Sequence, residues 1–156
     1  MKFLHTADLH LGRILHERSL EDDQKAMLAG LTALLAADDY QALVIAGDVY
    51  DRSIPAPEAV SLFGSFLADL RRRFPDLAVL AVPGNHDSPE RLGFGRELFG
   101  ELGIHIGATV EAATEPVILG GPGPRTAFFL LPFLSPGVLR SQRDLAREAA
   151  ERLEAA

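Results

Sequence analysis

Residues 42–48 read Ala-Leu-Val-Ile-Ala-Gly-Asp, a short apolar run that ends at a glycine and a carboxylate. Set among longer helical patterns, such a run reads as a strand of a βαβ unit in a largely parallel sheet. The same design recurs on either side. Lys2-Phe-Leu-His-Thr6 leads into Asp8-Leu-His10, and Leu77-Ala-Val-Leu-Ala-Val82 leads into Pro83-Gly84-Asn85-His86-Asp87. Each polar motif therefore follows a strand.

The connecting segments read as helices. Leu20, Met27, Leu28, Leu31 and Leu35 recur at helical spacing, and Ser19 with Asp22 three residues later forms a capping pattern, which predicts a helix over about 19–37. Pro57 suits a first helical turn, Val60, Phe63, Phe66, Leu67 and Leu70 form an apolar stripe, and Pro75 stops it. A third helix is expected from Arg91 to Leu102, then short strands near 104–110, 116–119 and 126–131. Gly120-Gly-Pro-Gly-Pro124 reads as a turn or loop. From Val138 to the end, Leu139, Leu145, Ala149 and Leu153 suggest a surface helix. The chain shows no internal repeat, and its 156 residues suit one domain spanning 1–156.

Composition narrows the chemistry. The absence of cysteine removes disulfides, thiolate metal sites and thiol catalysis, so a metal would rest on oxygen and imidazole ligands. No stretch approaches the roughly 18 apolar residues of a membrane span, and no signal core develops at the start, which predicts a cytoplasmic protein with no membrane partner. The formal net charge of −7 argues against nucleic-acid binding through the whole surface. Attraction for a phosphate would have to be local, and two divalent cations would supply four positive charges at the site itself.

In open α/β sheets, ligands collect beyond the carboxyl ends of the strands. Asp8, His10, Asp48, Asn85 and His86 are expected to converge there. Carboxylate, imidazole and amide oxygen suit manganese, iron, zinc or magnesium. A carboxylate can bridge two cations about 4 Å apart, so Asp48 is the expected bridge between one metal shared with Asp8 and His10 and another shared with Asn85. Gly47 lets the backbone turn closely beside it. Taken singly, each of these motifs also suits a helix cap or turn; together and in register they point to a site.

His86 follows Asn85, so its side chain is expected to face a substrate instead of the metal and to serve as an acid. Asp51, three residues after Asp48, is the carboxylate expected to orient it. Arg13 and Arg52 lie on loops at the same rim, where a guanidinium would hold a phosphate oxygen, and His16 lies in the loop after the first motif as a further substrate contact. Arg71-Arg72-Arg73 ends a helix, where cations complement the macrodipole, and is read that way. His5 and His105 read as core or edge residues.

Together, His5-Thr-Ala-Asp-Leu-His-Leu-Gly12, Ile45-Ala-Gly-Asp-Val-Tyr-Asp51 and Pro83-Gly-Asn-His-Asp-Ser88 resemble the calcineurin-like metallophosphoesterases. The Leu-Gly after Asp-x-His and the Pro-Phe-Leu at 132–134 resemble the branch of SbcD and Mre-type DNA break-repair nucleases, and the likeness runs from Lys2 to about Gln142. The resemblance implies an α/β/β/α sandwich and two manganese ions. It implies hydrolysis of DNA as a 3′ to 5′ double-strand exonuclease and single-strand endonuclease in repair and recombination. It also implies a homodimer within a heterotetramer that includes an SbcC-like coiled-coil ATPase. It assigns Asp8, His10, Asp48 and Asn85 as ligands and His86 as the residue facing the scissile phosphate.

Two departures temper what the resemblance implies. Asp51-Arg52 resembles the Asp-Arg pair of phosphoprotein phosphatases, which opens a phosphoesterase acting on nucleotides or phosphoproteins as an alternative. The family's downstream Gly-His and Gly-His-x-His motifs have no counterpart in this sequence. The expectation is therefore an N-terminal half or truncated version of the domain with an incomplete second metal site. A further alternative is a non-catalytic module that dimerises through Leu92, Phe94, Leu98 and Phe99.

Overall fold

Four parallel strands form the centre of the molecule: β1 (Phe3–Thr6), β4 (Ala42–Ala46), β5 (Ala78–Val82) and β6 (Ile104–Ile106), in the order β1-β4-β5-β6. The structure is a computed structural model and describes residues 1–141. Between β1 and β4 run a small hairpin, β2 (Ile14–Leu15) and β3 (Arg18–Ser19), and the helix α1 (Glu21–Ala36). The helix α2 (Pro57–Arg73) connects β4 to β5, and the short helices α3 (Pro89–Leu92) and α4 (Arg96–Glu101) connect β5 to β6. A short 3-10 turn, Glu111–Thr114, leads into an antiparallel pair, β7 (Val117–Leu119) and β8 (Thr126–Phe128).

Alternation along the strands divides the core in two. Leu43 and Ile45 of β4, Val79 and Ala81 of β5, and Ile104 and Ile106 of β6 pack with Leu28 and Leu35 of α1 and Phe63, Phe66, Leu67 and Leu70 of α2. Ala42, Ala78 and Leu80 face the other way, against Val117, Leu119, Phe128 and Leu130. Helices, parallel sheet and a small antiparallel sheet thus form three successive layers. This is the α/β/β part of the expected sandwich; no second helical layer lies among the described residues. No described helix is long and apolar enough to cross a membrane.

The structure differs from the sequence reading in four places. The helix expected from 19 begins at Glu21, and the Ser19 hydroxyl accepts the Glu21 N–H at 3.2 Å while Ser19 ends the small hairpin. That hairpin was not expected. Its turn places His16 and Glu17 at φ 47 and 66, left-handed conformations that the sequence does not signal with glycine or asparagine. The helix expected over Arg91–Leu102 is two short helices, because Gly95 turns left-handed at φ 73 and a Cβ at Gly93 would strike Ala108. Val60 and Met27 are exposed, at the edges of their apolar stripes. Residues 136–141 are helical, and the rest of the expected terminal helix, with Leu145, Ala149 and Leu153, lies outside the described residues.

Candidate metal centre

The loops after β1 and β4 are zipped together beyond the sheet. Asp8 N–H donates to the Gly47 carbonyl at 3.1 Å, His10 N–H to Asp48 at 2.9 Å and Leu11 N–H to Val49 at 2.9 Å; Asp51 N–H returns to Leu11 at 3.1 Å. This extends the parallel pairing past the strand ends. Asp8, His10 and Asp48 adopt φ of 57, 45 and 49, a left-handed backbone that non-glycine residues seldom take. Such conformations cost on the order of 1–3 kcal/mol each and persist where the surroundings over-determine them, as at functional sites. The loop after β5 closes over this pair. Gly84 lies against Asp48 so tightly that a Cβ there would overlap the Asp48 carboxylate and backbone nitrogen.

The structure brings together Asp8, His10, Asp48, Asn85 and His86. Asp8, Gly47, Asp48, Gly84 and Asn85 line one groove with Leu131 and Phe133. Nε2 of His10 lies 3.9 Å from Oδ1 of Asp8 and 3.9 Å from Oδ2 of Asp48. The His86 ring packs edge-on against the His10 ring, with centroids 4.9 Å apart. His10, Asp48 and His86 each offer a ligand atom, and these atoms all lie within 4.8 Å of one another.

This donor set fits a divalent cation. Asp48 is only 7% exposed, yet its Oδ2 has His10 at a distance too long for a hydrogen bond, and its Oδ1 accepts one backbone N–H, that of His86, at 3.0 Å. A buried carboxylate so sparsely satisfied calls for positive charge. Two donors about 2.0–2.2 Å from a common ion stand about 3–4 Å apart, which is the spacing of His10 Nε2 from the two carboxylates.

Asp51 differs from its expected role. Its carboxylate does not meet His86; instead Oδ1 lies 3.5 Å from Nδ1 of His10, a buried nitrogen with no hydrogen-bond partner. It is the Asp51 backbone carbonyl that meets Nδ1 of His86, at 2.9 Å. A carbonyl only accepts, so Nδ1 of His86 carries the proton and Nε2 is left with its lone pair. Arg13 Nε and Arg52 Nε each lie 3.9 Å from the Asp51 carboxylate, and both guanidinium groups remain largely exposed at the rim. His16 is on the exposed hairpin turn, and no described contact ties it to the cluster. Arg71 donates to the carbonyls of Pro75 and Leu77 and so closes the end of α2. His5 is exposed on β1, and burial of His105 on β6 lowers its pKa.

Two further residues shape the site. Asp87 is buried, and its carboxylate accepts the N–H groups of Val49 at 3.0 Å, Tyr50 at 2.8 Å and Gly84 at 2.9 Å, tying the loop after β4 to the loop after β5. Gln24 of α1 bonds the loop after β1. The sequence carried a weak signal for Gln24, which lies one turn before Leu28 on the buried face. It carried none for the burial of Asp87.

Residues 1–129 match the family model of the calcineurin-like phosphoesterases. The chain is similar to the SbcD component of the SbcCD nuclease of Staphylococcus epidermidis, 36% identical over 133 residues, which cover 85% of this chain and 34% of that protein. It is similar to the corresponding SbcD component from Rhodobacter capsulatus, 40% identical over 111 residues, covering 71% of this chain and 27% of that one. Among solved structures it is similar to that of Pseudomonas putida nuclease MPE, with a TM-score of 0.44 and 29% identity over 67% of this chain and 46% of that one. The chain spans about a third of the length of the staphylococcal relatives it matches.

Proposed function

The chain belongs to the calcineurin-like phosphoesterase family, and from that premise we propose that it supplies metal-binding and proton-handling residues of a DNA nuclease that hydrolyses phosphodiester bonds. The observation that carries this reading is the position of His10 Nε2 between Asp8 and Asp48, 3.9 Å from each, with His86 in the same cluster. Asp8, His10 and Asp48 would hold one divalent ion, and Asp48 and Asn85 would contribute to a second, with manganese the expected metal. When bound, the ions supply Lewis-acid stabilisation of the attacking and leaving oxygens.

The chain's own groups account for the remaining work. His86, with Nδ1–H fixed on the Asp51 carbonyl, directs Nε2 at the site, where in its protonated state it would give a proton to the departing oxygen. Arg13 and Arg52 at the rim would hold phosphate oxygens. With a chain charge of −7, the attraction for DNA depends on the ions and these two guanidinium groups.

Partners follow from the relatives' names, which describe one component of a two-part SbcCD nuclease. We propose an SbcC-like ATPase as partner, action in DNA repair, and a cytoplasmic location. Phe94, Leu98 and Leu102 are 82%, 70% and 55% exposed, and support a homodimer contact on the α4 side; Leu92 and Phe99, expected in that contact, pack inward instead. The rival reading is a phosphomonoesterase, which Arg52 beside Asp51 favours. Turnover of linear duplex DNA against a nucleotide monoester, both with Mn²⁺, separates them: the proposal expects preference for DNA, and a preference for the monoester overturns it.

A further inference from the structure

We propose that Gln24, a residue of α1 outside all three motifs, is a positioning residue that holds the His10 imidazole in place through the backbone of the His10–Gly12 turn. The proposal rests on the reading of His10 as a metal ligand.

The buried positions of α1 are Gln24, Leu28, Thr32 and Leu35. Thr32 spends its hydroxyl inside the helix, on the Leu28 carbonyl. Gln24 reaches out of it. Its Nε2 donates to the His10 carbonyl at 2.6 Å, and its Oε1 accepts the Gly12 N–H at 3.0 Å. One planar amide thus clasps the two backbone groups on either side of Leu11, a task that needs a donor and an acceptor together. Leucine would supply neither, and an ionised glutamate would set an oxygen against the His10 carbonyl.

The clasped turn is one that does not hold itself. His10 and Gly12 both lie in the left-handed region, at φ 45 and 85, and a Cβ at Gly12 would come within 2.9 Å of the Ala59 Cβ on α2. The Asp48 carbonyl fixes the His10 N–H from one side, and Gln24 fixes the His10 carbonyl from the other. Between these two restraints the ring is directed at Asp8 and Asp48. Loosening the second lets His10 relax toward commoner backbone angles and carries Nε2 off the shared position.

The test measures Mn²⁺ affinity by titration calorimetry on the whole chain for wild type, Gln24→Leu, Gln24→Glu, Thr32→Val and Asp48→Asn, each first checked for cooperative thermal unfolding. Long-range proton–nitrogen spectra of the His10 imidazole are recorded with Zn²⁺ as a diamagnetic probe. The expected result is wild-type affinity in Thr32→Val, loss of binding in Asp48→Asn, and affinity at least about tenfold weaker in both Gln24 variants, with the Zn²⁺-induced shift of His10 Nε2 diminished. If Gln24→Leu does not fold, Gln24→Glu, which keeps the acceptor for Gly12, decides. Wild-type affinity and an unchanged His10 shift in a folded Gln24→Glu overturn the role of Gln24 and leave the metal reading standing. A wild-type chain that binds no Mn²⁺, or an Asp48→Asn chain that binds it equally, overturns the metal reading and this proposal with it.

Discussion

Nδ1 of His10 lies 3.5 Å from Oδ1 of Asp51, on the side of the imidazole away from the carboxylates of Asp8 and Asp48. A histidine that ligates a metal through one nitrogen usually places the other against a carboxylate, which sets its tautomer and its direction. Asp51 occupies that place. Asp51→Asn should therefore lower Mn²⁺ affinity by about 10- to 100-fold, measured by calorimetry, without unfolding the chain. An unchanged affinity would remove Asp51 from the support of His10.

His86 presents a different problem, since its free Nε2 suits both a proton donor and a metal ligand. As a proton donor, it should be dispensable for binding the metal. His86→Gln is expected to keep Mn²⁺ affinity and to lose about 100- to 10,000-fold in phosphodiester turnover. If metal affinity falls along with turnover, His86 belongs among the ligands.

Asp87 joins two loops by accepting three backbone N–H groups with one buried carboxylate. An amide cannot reproduce this, because its NH₂ end would confront at least one of those donors. Asp87→Asn should lower the unfolding free energy by about 2–4 kcal/mol, read from urea titrations. A loss well under 1 kcal/mol, on the order of that for a surface substitution, would contradict the role assigned to it.

Burial, followed by the nearby charge of Asp87, raises the Tyr50 hydroxyl from its ordinary value near 10 to about 12. The fold therefore favours the neutral phenol. An unfolded chain releases this proton first, so the contribution of Tyr50 to stability is intact below pH 10 and is lost as the pH rises from about 10 to about 12. Unfolding titrations across that range should show a fall in stability that Tyr50→Phe abolishes; an equal fall in both proteins would refute it.

Much of this arrangement was legible in the sequence. The strands containing Ala42–Ala46 and Ala78–Val82, and the helix from Pro57, announce themselves through unbroken apolar runs and a clear stripe. The polar motifs at their ends fell together because parallel strands deliver their carboxyl ends to one edge. Features governed by single torsions or by contacts between distant residues were not legible. The His16–Glu17 turn, the break at Gly95, and the choice of Asp51 to face His10 with its carboxylate and His86 with its carbonyl each depend on geometry that no spacing encodes. Asp87 stood in view within its motif, but its burial depends on loops 37 and 38 residues away in sequence.

The central claim is that these strand ends assemble a divalent-metal centre around Asp48. Anomalous diffraction at the manganese edge, from crystals grown with Mn²⁺, tests it most directly. The account predicts a strong peak bounded by Asp8, His10 Nε2 and the Asp48 carboxylate, absent from the Asp48→Asn protein; a site without such a peak, or a peak that survives the substitution, would contradict it.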